Sequence, residues 1–340
     1  MSYDKLFVAV MTPYKDGSFE IDDDQLRQML RSYIGPRYAH AGMAIIINPE
    51  AGEVFYLSRE EMRHNVEVAV DEVGGAVPVF AGLMGNRTEE IVRAADDARE
   101  AGAEGFFVLP PIGALDITTS WNATEYPEVW GDVMRAIVAA HPDMPLVCHP
   151  TATPTAGYGI GLPLEPTLAL CNEIENIVGW KMTYSYDGYR KVAEGLRSLD
   201  RHVAVLGAPA TYFHENLASE QFDGTACGAF GYALEPMVDH IEAWRDNDVV
   251  RAREIWNGGL AALQEYVYRD NSRLHIRYKT AAWLSGAMSN PWMRPPLPRP
   301  RLEEIHTLHG LLREAGVAVI SDDEVGGVES TLPAELSVVR

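Results

Sequence analysis

The sequence predicts an α/β fold, a (β/α)8 barrel followed by a helical C-terminal extension. Three observations predict it: eight short apolar runs, helix-like segments between them, and helix-like segments alone after the eighth run. The runs are continuous rather than alternating, as expected for parallel strands that are buried on both faces. Strand–helix alternation repeated in this way is the pattern of a closed parallel barrel.

The barrel elements can be assigned in order along the chain. The predicted strands cover residues 7–11, 43–47, 77–81, 105–109, 144–148, 177–181, 203–207 and 224–230. Apolar residues at helical spacing predict helices over 22–33, 58–73, 88–101, 125–141, 164–174 and 189–199. The second of these helices opens with SRE at residues 58–60 and Glu61, which is a capping-box pattern.

A doubly wound open sheet is the alternative to the barrel. Such a sheet carries a glycine-rich phosphate-binding turn after its first strand, and MTPY at residues 11–14 is not one. The glycine-rich stretch at 157–161 does not lead from a strand into a helix, so we predict a plain loop there.

The chain changes character after the eighth strand. Helices are predicted over 236–246, 248–268, 276–285 and 302–315, with a proline-rich stretch at 290–301 before the last one. We therefore expect a barrel domain in residues 1–235, a helical extension in 236–320 and a polar, poorly ordered tail in 321–340.

Composition excludes several classes of function. The 340 residues carry a net charge of −21, which repels phosphate backbones and anionic lipids, so we expect neither nucleic acid nor a membrane as partner. The three cysteines lack CxxC spacing, which predicts no disulfide framework and a reducing compartment such as the cytoplasm. The histidines show no metal-binding spacing, so we expect no metal and no other cofactor.

Lys181 is the most informative residue for function. It ends the buried run IVGWK at residues 177–181, and burial among apolar groups favours the uncharged amine. A neutral lysine at the mouth of a barrel can attack a carbonyl carbon and form a Schiff base. The alternative is a strand-end lysine that simply reaches into water.

Further candidates follow the other strands, because reactive groups of such barrels collect at the carboxyl ends of the strands. His149 and Glu50 are the candidate proton carriers beside Lys181. The candidate substrate-binding residues are Thr12, Ala51, Gly52, Cys148, Thr151, Thr183, Gly207 and Tyr232.

Several of these segments together resemble the dihydrodipicolinate synthase / N-acetylneuraminate lyase family of Schiff-base aldolases. The resemblance covers roughly residues 5–300, and the order and spacing of the matching segments make it specific. These segments are VMTPY (10–14), GE (52–53), LSREE (57–61), PVFAG (78–82), AGA (101–103), GWK (179–181) and RPPL (294–297). The resemblance implies that Lys181 condenses with a 2-oxo acid, classically pyruvate, and that the chain assembles as a homotetramer, a dimer of dimers.

The sequence departs from the family pattern at two places. Where the family usually has a proton-relaying tyrosine, this chain has Cys148 followed by His149. Where the family usually has two hydroxyl residues that hold the substrate carboxylate, it has Glu50 and Ala51. An ionised Glu50 would repel a carboxylate: like charges ~4 Å apart cost ~1 kcal/mol even in bulk water. The chain is therefore identified as a divergent member with a rebuilt proton relay.

Three functions remain open from the sequence. The first is a class I aldolase or lyase that acts on a 2-oxo acid or a related carbonyl compound. The second is a hydro-lyase that dehydrates a sugar acid through the same imine. The third is a barrel that has lost catalysis and only binds a small molecule. Separately, His149 could serve only to hydrogen-bond the loop backbone. The Gly-x-Lys context of Lys181 favours an enzyme.

Overall fold

A closed barrel of eight parallel strands forms the centre of the computed structural model, which describes residues 3–110 and 121–329. Around the barrel the strands run in the order β1-β10-β9-β8-β5-β4-β3-β2, and β6 pairs with β7 in a separate hairpin. The strands are β1 Leu6–Ala9, β2 Met43–Ile47, β3 Val79–Leu83, β4 Gly105–Val108, β5 Leu146–Cys148, β6 Thr151–Thr155, β7 Gly159–Gly161, β8 Ile177–Met182, β9 Ala204–Gly207 and β10 Gly224–Cys227. The predicted barrel class is confirmed.

Helices cover the outside of the barrel and form the region that follows it. They are α1 Asp23–Tyr33, α2 Pro36–His40, α3 Arg59–Val73, α4 Thr88–Glu100, α5 Glu128–Ala140, α6 Leu164–Glu173, α7 Tyr186–Arg197, α8 Phe213–Ala218, α9 Phe230–Arg245, α10 Val249–Ile255, α11 Ala261–Tyr268, α12 Leu274–Leu284, α13 Leu302–Glu314 and α14 Asp322–Glu329. A π-helical turn, Trp256–Leu260, joins α10 to α11. Within the described ranges, no helix has both the length and the apolarity needed to cross a bilayer.

Local sequence explains where several of these helices begin. Ser58 accepts a hydrogen bond from the Glu61 amide, and the Glu61 carboxylate accepts one from the Ser58 amide, which completes the predicted capping box of α3. Ser185 caps α7 in the same way, by accepting from the Gly188 amide. Helix α7 therefore starts at Tyr186, earlier than the apolar spacing predicts.

Apolar residues pack in two layers, inside the barrel and between the barrel and its helices. Alternation along each strand separates them: Val147 of β5 belongs to the interior cluster, whereas Leu146 and Cys148 belong to the cluster under the helices. Lys181 lies between Trp180 and Met182, which both pack under the helices, so its side chain takes the inward direction. The strand period therefore decides which side chains can reach the barrel mouth.

Two sequence expectations need revision. The plain loop predicted at 157–161 is wrong, because this segment includes β7, which pairs antiparallel with β6 through Thr151 opposite Gly161 and Thr155 opposite Gly159. Gly157 and Gly159 take positive φ angles, 80° and 67°, which lets the chain reverse tightly. The tail predicted to be poorly ordered begins with helix α14, and residues 330–340 lie outside the described residues.

The boundary expected after residue 235 falls inside α9. This helix contains a kink at Ala233, with φ −140° and ψ 43°, shortly before Pro236. The extension that follows packs back on the barrel, and α12 supplies part of the wall at the carboxyl end of the strands. The barrel and the extension therefore share one functional region.

Candidate active site

A cavity of about 470 Å³ opens at the carboxyl end of the barrel, and Lys181 lies in its wall. Lys181 follows Trp180 near the end of β8 and is 5% exposed. Its ammonium nitrogen lies 5.4 Å from the centre of the Phe107 ring, which belongs to the barrel interior. The amine therefore has an apolar floor on one side and the open cavity on the other.

Glu50 binds the Lys181 amine directly. Glu50 begins a short 3-10 turn, Glu50–Gly52, in the loop after β2, and its Oε1 atom accepts hydrogen bonds from Lys181 Nζ and, at 2.9 Å, from His149 Nε2. Burial raises the pKa of this carboxyl, but the N–H groups of His149 and Lys181 outweigh burial, so the pKa lies well below its ordinary value. Glu50 is therefore ionised at neutral pH.

His149 connects Glu50 to two hydroxyl groups. It directly follows β5, points inward and is 6% exposed. Its Nδ1 atom lies 2.7 Å from the Thr151 hydroxyl, and the Thr151 and Thr183 hydroxyl oxygens are 3.4 Å apart. Burial lowers the pKa of His149, which the neighbouring Glu50 opposes only in part. A neutral ring that donates from Nε2 and accepts at Nδ1 satisfies all of these contacts.

The geometry joins Lys181, Glu50, His149, Thr151 and Thr183 into one hydrogen-bonded chain. Lys181 and His149 both donate to Glu50, and Thr151 donates to His149, so a proton that leaves the amine passes to Glu50. The chain begins at the one nucleophile that the sequence singled out. It therefore provides what imine chemistry requires, an amine with a proton acceptor in contact.

The C-terminal extension completes the cavity wall. Asn271, Leu274, His275 and Tyr278 reach it from α12 and the turn before α12, and Tyr268 reaches it from the end of α11. The Tyr278 hydroxyl donates to the Tyr268 hydroxyl at 2.6 Å, and Tyr268 donates to the Ala208 carbonyl at 3.1 Å. None of these residues is predicted from the sequence, because none of them follows a barrel strand.

His275 is the most consequential of the residues that the sequence analysis missed. Burial beside the cavity lowers the pKa of His275 to about 4, although Glu50 acts in the opposite direction. His275 is therefore neutral at physiological pH and adds no positive charge to the site. Its ring packs against Tyr278, with the ring centres 5.9 Å apart.

Three predicted substrate-binding residues point away from the cavity. Cys148 faces α5, where its sulfur lies 3.6 Å from the Met134 sulfur, so the prediction for Cys148 is wrong. The Tyr232 hydroxyl donates to Gln264 at 2.6 Å within the extension and does not reach the cavity. A side chain at Gly207 would meet Phe213 and Phe222, which pack outside the barrel. Strand alternation and the packing of the extension account for these corrections.

Thr12, Ala51 and Gly52 lie behind Glu50 rather than in the cavity wall. The Thr12 hydroxyl donates to the Gly52 carbonyl at 2.6 Å, and Ala51 is 3% exposed. A Cβ atom at Gly52 would lie 2.6 Å from the Val10 carbonyl oxygen, so only glycine lets the loop approach β1 this closely. The structure thus gives these three residues the task of holding the Glu50 turn, in place of the predicted contact with substrate.

A second lysine–glutamate pair lies beneath the same loop. Lys279 of α12 donates to Glu53 Oε1, and both side chains are 1% exposed. Glu53 Oε2 accepts from the Tyr14 hydroxyl at 3.1 Å and from the Arg294 amide at 2.8 Å. The Lys279 ammonium also lies 4.2 Å from the centre of the Tyr14 ring. This pair ties the loop after β2 to the extension.

Among the described residues, one group of carboxylate and histidine side chains is close enough together to hold a metal ion. Asp4, His202 and Asp223 form it, each just before a barrel strand and so at the opposite end of the barrel from Lys181. His202 already contacts Asp4 at 2.6 Å, and Asp223 forms an ion pair with Arg197. These contacts account for the cluster without an ion.

Comparison with known proteins identifies the fold and the relatives of the chain. The family model described as the dihydrodipicolinate synthetase family matches residues 2–315. A 4-hydroxy-tetrahydrodipicolinate synthase of Methanopyrus kandleri is 27% identical over 313 residues, 91% of this chain and 95% of the relative.

Solved structures of similar proteins have the same fold. The dihydrodipicolinate synthase of Aquifex aeolicus superposes with a TM-score of 0.75 at 24% identity, over 93% of this chain and 99% of that one. A prophage protein of the dihydrodipicolinic acid synthase family from E. coli K12, solved in complex with pyruvate, also gives a TM-score of 0.75, at 19% identity over 93% and 99% of the two chains. At these identities the likeness establishes the architecture alone.

Proposed function

Because the chain belongs to the dihydrodipicolinate synthetase family and is an aldolase-like lyase, we propose that Lys181 forms a Schiff base with a 2-oxo acid or a related carbonyl compound. The observation that carries this proposal is the contact between the Lys181 amine and Glu50 inside the cavity. An amine attacks carbonyl carbon only when it is unprotonated, and Glu50 is the proton acceptor in direct contact with it. Membership of a lyase family favours this function over a barrel that only binds.

The steps of imine formation follow from the contacts. Glu50 takes a proton from Lys181 as the amine adds to the carbonyl carbon, and the two protons that the nitrogen loses pass through Glu50 to the carbonyl oxygen. Loss of that oxygen as water leaves an imine on Nζ. The protonated imine then withdraws electrons from the adjoining bond, while His149 removes or returns the proton that accompanies bond cleavage or formation.

His149 suits this task because it is uncharged and connected on both sides. Its lowered pKa keeps the ring able to accept a proton at neutral pH. Thr151 and Thr183 fix the ring and extend the path towards the cavity. Thr151 and Thr183 are positioning residues in this proposal, whereas Lys181, Glu50 and His149 are catalytic.

Reductive trapping tests the proposal. The protein is incubated with a panel of 2-oxo acids, aldehydes and ketones in the presence of borohydride, and the modified peptide is located by mass spectrometry. We expect an adduct on Lys181 that is lost in Lys181→Met and kept in Lys191→Met, a matched change of an exposed lysine on α7. A folded protein that gives no Lys181 adduct with any member of the panel would overturn the proposal.

Product analysis then separates the two reactions that share this imine. Cleavage of a carbon–carbon bond divides the substrate into two fragments, whereas dehydration of a sugar acid keeps the carbon count and removes one water. Sedimentation of the native protein tests the homotetramer, which the family resemblance implies and which stays part of the proposal.

A further inference from the structure

Few positive charges line the cavity. Lys181 is the only lysine or arginine among the described residues that line it, and its charge is already matched by Glu50. His149 and His275 are neutral at physiological pH because burial lowers the pKa of each. Among the described residues, a carboxylate in this cavity would therefore find only hydroxyl and backbone N–H groups to hold it, with the negative charge of Glu50 beside it.

The Glu50 carboxylate also has one oxygen without a partner. Its Oε1 atom accepts from both Lys181 and His149, whereas its Oε2 atom is buried and meets no hydrogen-bond donor in the part of the chain that the structure describes. Leaving a buried acceptor unpaired is costly, and more so when it belongs to an ionised group. A ligand that brings a hydrogen-bond donor to Oε2 would recover this loss.

The position of Glu50 relative to the amine defines what such a ligand must carry. A carbonyl compound bound to Nζ places its carbonyl carbon one bond from the nitrogen that Glu50 already contacts. The oxygen of a carboxylate on that carbon and the oxygen of a hydroxyl on its neighbour are both three bonds from Nζ, so either can occupy the same place. At this place the negative charge of Glu50 repels a carboxylate, whereas a hydroxyl group can donate a hydrogen bond to Glu50.

We propose that Glu50 makes the site selective for α-hydroxy aldehydes and α-hydroxy ketones over 2-oxo acids, with the substrate hydroxyl donating to Glu50 Oε2. This inference rests on the Schiff-base function proposed above and narrows its substrate class. Glu50 then serves twice, through Oε1 as the proton acceptor of Lys181 and through Oε2 as the group that selects the substrate. The site is matched to uncharged carbonyl compounds that carry a hydroxyl group on the carbon next to the carbonyl.

Three small ketones test the selectivity, because they differ at a single carbon: hydroxyacetone, pyruvate and acetone. Each is added at the same concentration with borohydride at pH 7, and the rate of Lys181 modification is measured by peptide mass spectrometry. Modification of the exposed Lys191 in the same sample corrects for the intrinsic reactivity of each ketone. We expect the corrected rate for hydroxyacetone to exceed that for pyruvate at least tenfold, and to exceed that for acetone.

Glu50→Gln supplies the decisive variant, since it removes the charge and retains the shape. The substitution slows imine formation with every ketone because the proton acceptor is lost, so the measured quantity is the ratio of the hydroxyacetone rate to the pyruvate rate. We expect that ratio to fall at least tenfold. Glu215→Gln, which changes an exposed carboxylate on α8, should leave the ratio as in the unmodified protein.

The outcomes separate the two proposals. If pyruvate modifies Lys181 as fast as hydroxyacetone, and Glu50→Gln leaves the ratio unchanged, the selectivity is overturned while the Schiff-base function stands. If none of the three modifies Lys181 in folded protein, both fail. Should Glu50→Gln not fold, as judged by circular dichroism, the comparison of the three ketones on the unmodified protein decides alone.

Discussion

The loop after β2 carries the glutamates of two buried lysine–glutamate pairs. The pairs differ in how many of their carboxylate oxygens accept a hydrogen bond. Glu53 and Lys279 are sealed: both carboxylate oxygens of Glu53 have donors, and the ammonium rests on the Tyr14 ring. Glu50 and Lys181 face a cavity, and Glu50 Oε2 has no donor among the described residues. The same pair of residue types is therefore a structural tie in one place and the proposed reactive centre in the other.

Burial by itself does not make a lysine available to a reactant, as the Glu53–Lys279 pair shows. It lowers the pKa of Lys279 from 10.5 to about 8, against the opposing effect of Glu53. The sealed pair has no route for a reactant to reach that amine, since both side chains are 1% exposed. Access and unpaired hydrogen-bonding capacity, rather than burial itself, distinguish the lysine that can react.

The largest expected effect is on stability, and it should separate the two lysines. Lys279→Met leaves Glu53 buried and uncompensated, which costs about 3–5 kcal/mol of unfolding free energy. Lys181→Met leaves Glu50 with its hydrogen bond from His149 and a side chain that is 15% exposed, so we expect a cost below about 2 kcal/mol. Urea unfolding followed by circular dichroism measures both.

The double variant Glu53→Gln/Lys279→Met tests whether the stability loss in Lys279→Met comes from the uncompensated charge of Glu53. Because both charges are removed together, it should cost clearly less than the sum of the two single changes. If Lys181→Met and Lys279→Met lower the unfolding free energy equally, the proposed difference between the two pairs is contradicted.

Removing a single hydroxyl group should also affect the two pairs differently, with smaller changes in unfolding free energy. Tyr14→Phe removes a donor to the ionised Glu53 but keeps the ring beneath Lys279, so we expect a loss of about 1.5–3 kcal/mol in stability. Thr151→Val removes the partner of His149 Nδ1 at the cavity, so we expect a change in turnover with a stability loss of about 1 kcal/mol or less. A loss of stability in Thr151→Val as large as that in Tyr14→Phe would contradict the comparison.

The smallest expected effect is a displacement of the pH profile. Turnover that needs neutral His149 should persist as the pH falls below 6.5 and should decline only through the lower pKa of the buried ring. Glu50 raises the pKa of His149, so Glu50→Gln should move this acid limb to still lower pH. Initial rates of substrate turnover across pH 4–8 measure the shift, and a limb that moves to higher pH would exclude this role for Glu50.

The barrel was predictable because its signal is local. Continuous apolar runs mark the strands, and the capping box at Ser58 marks a helix start, so each can be identified without knowing what packs against it. Lys181 was identified for the same reason, as a charged residue that ends an apolar strand. The placement of His149 beside the lysine also follows from barrel geometry, since β5 and β8 are neighbours.

The remaining features depend on contacts between distant parts of the chain. His275 reaches the cavity from α12, a helix that is buried on nearly all sides, so its sequence lacks the pattern that would reveal which face points where. The hairpin of β6 and β7 depends on two glycines whose positive φ angles the sequence does not disclose. The inward side of β5, in contrast, could have been read from alternation, which places Val147 and His149 together and excludes Cys148.

The contribution of α12 to the cavity has a consequence for synthesis of the chain. The wall that holds His275 and Tyr278 is translated only after all eight barrel strands, and the lock between Lys279 and Glu53 forms at the same stage. A ribosome-bound chain that ends before α12 would carry Lys181 with one side of its pocket missing. The Lys181 amine therefore acquires its enclosed surroundings only after the whole barrel has been synthesised.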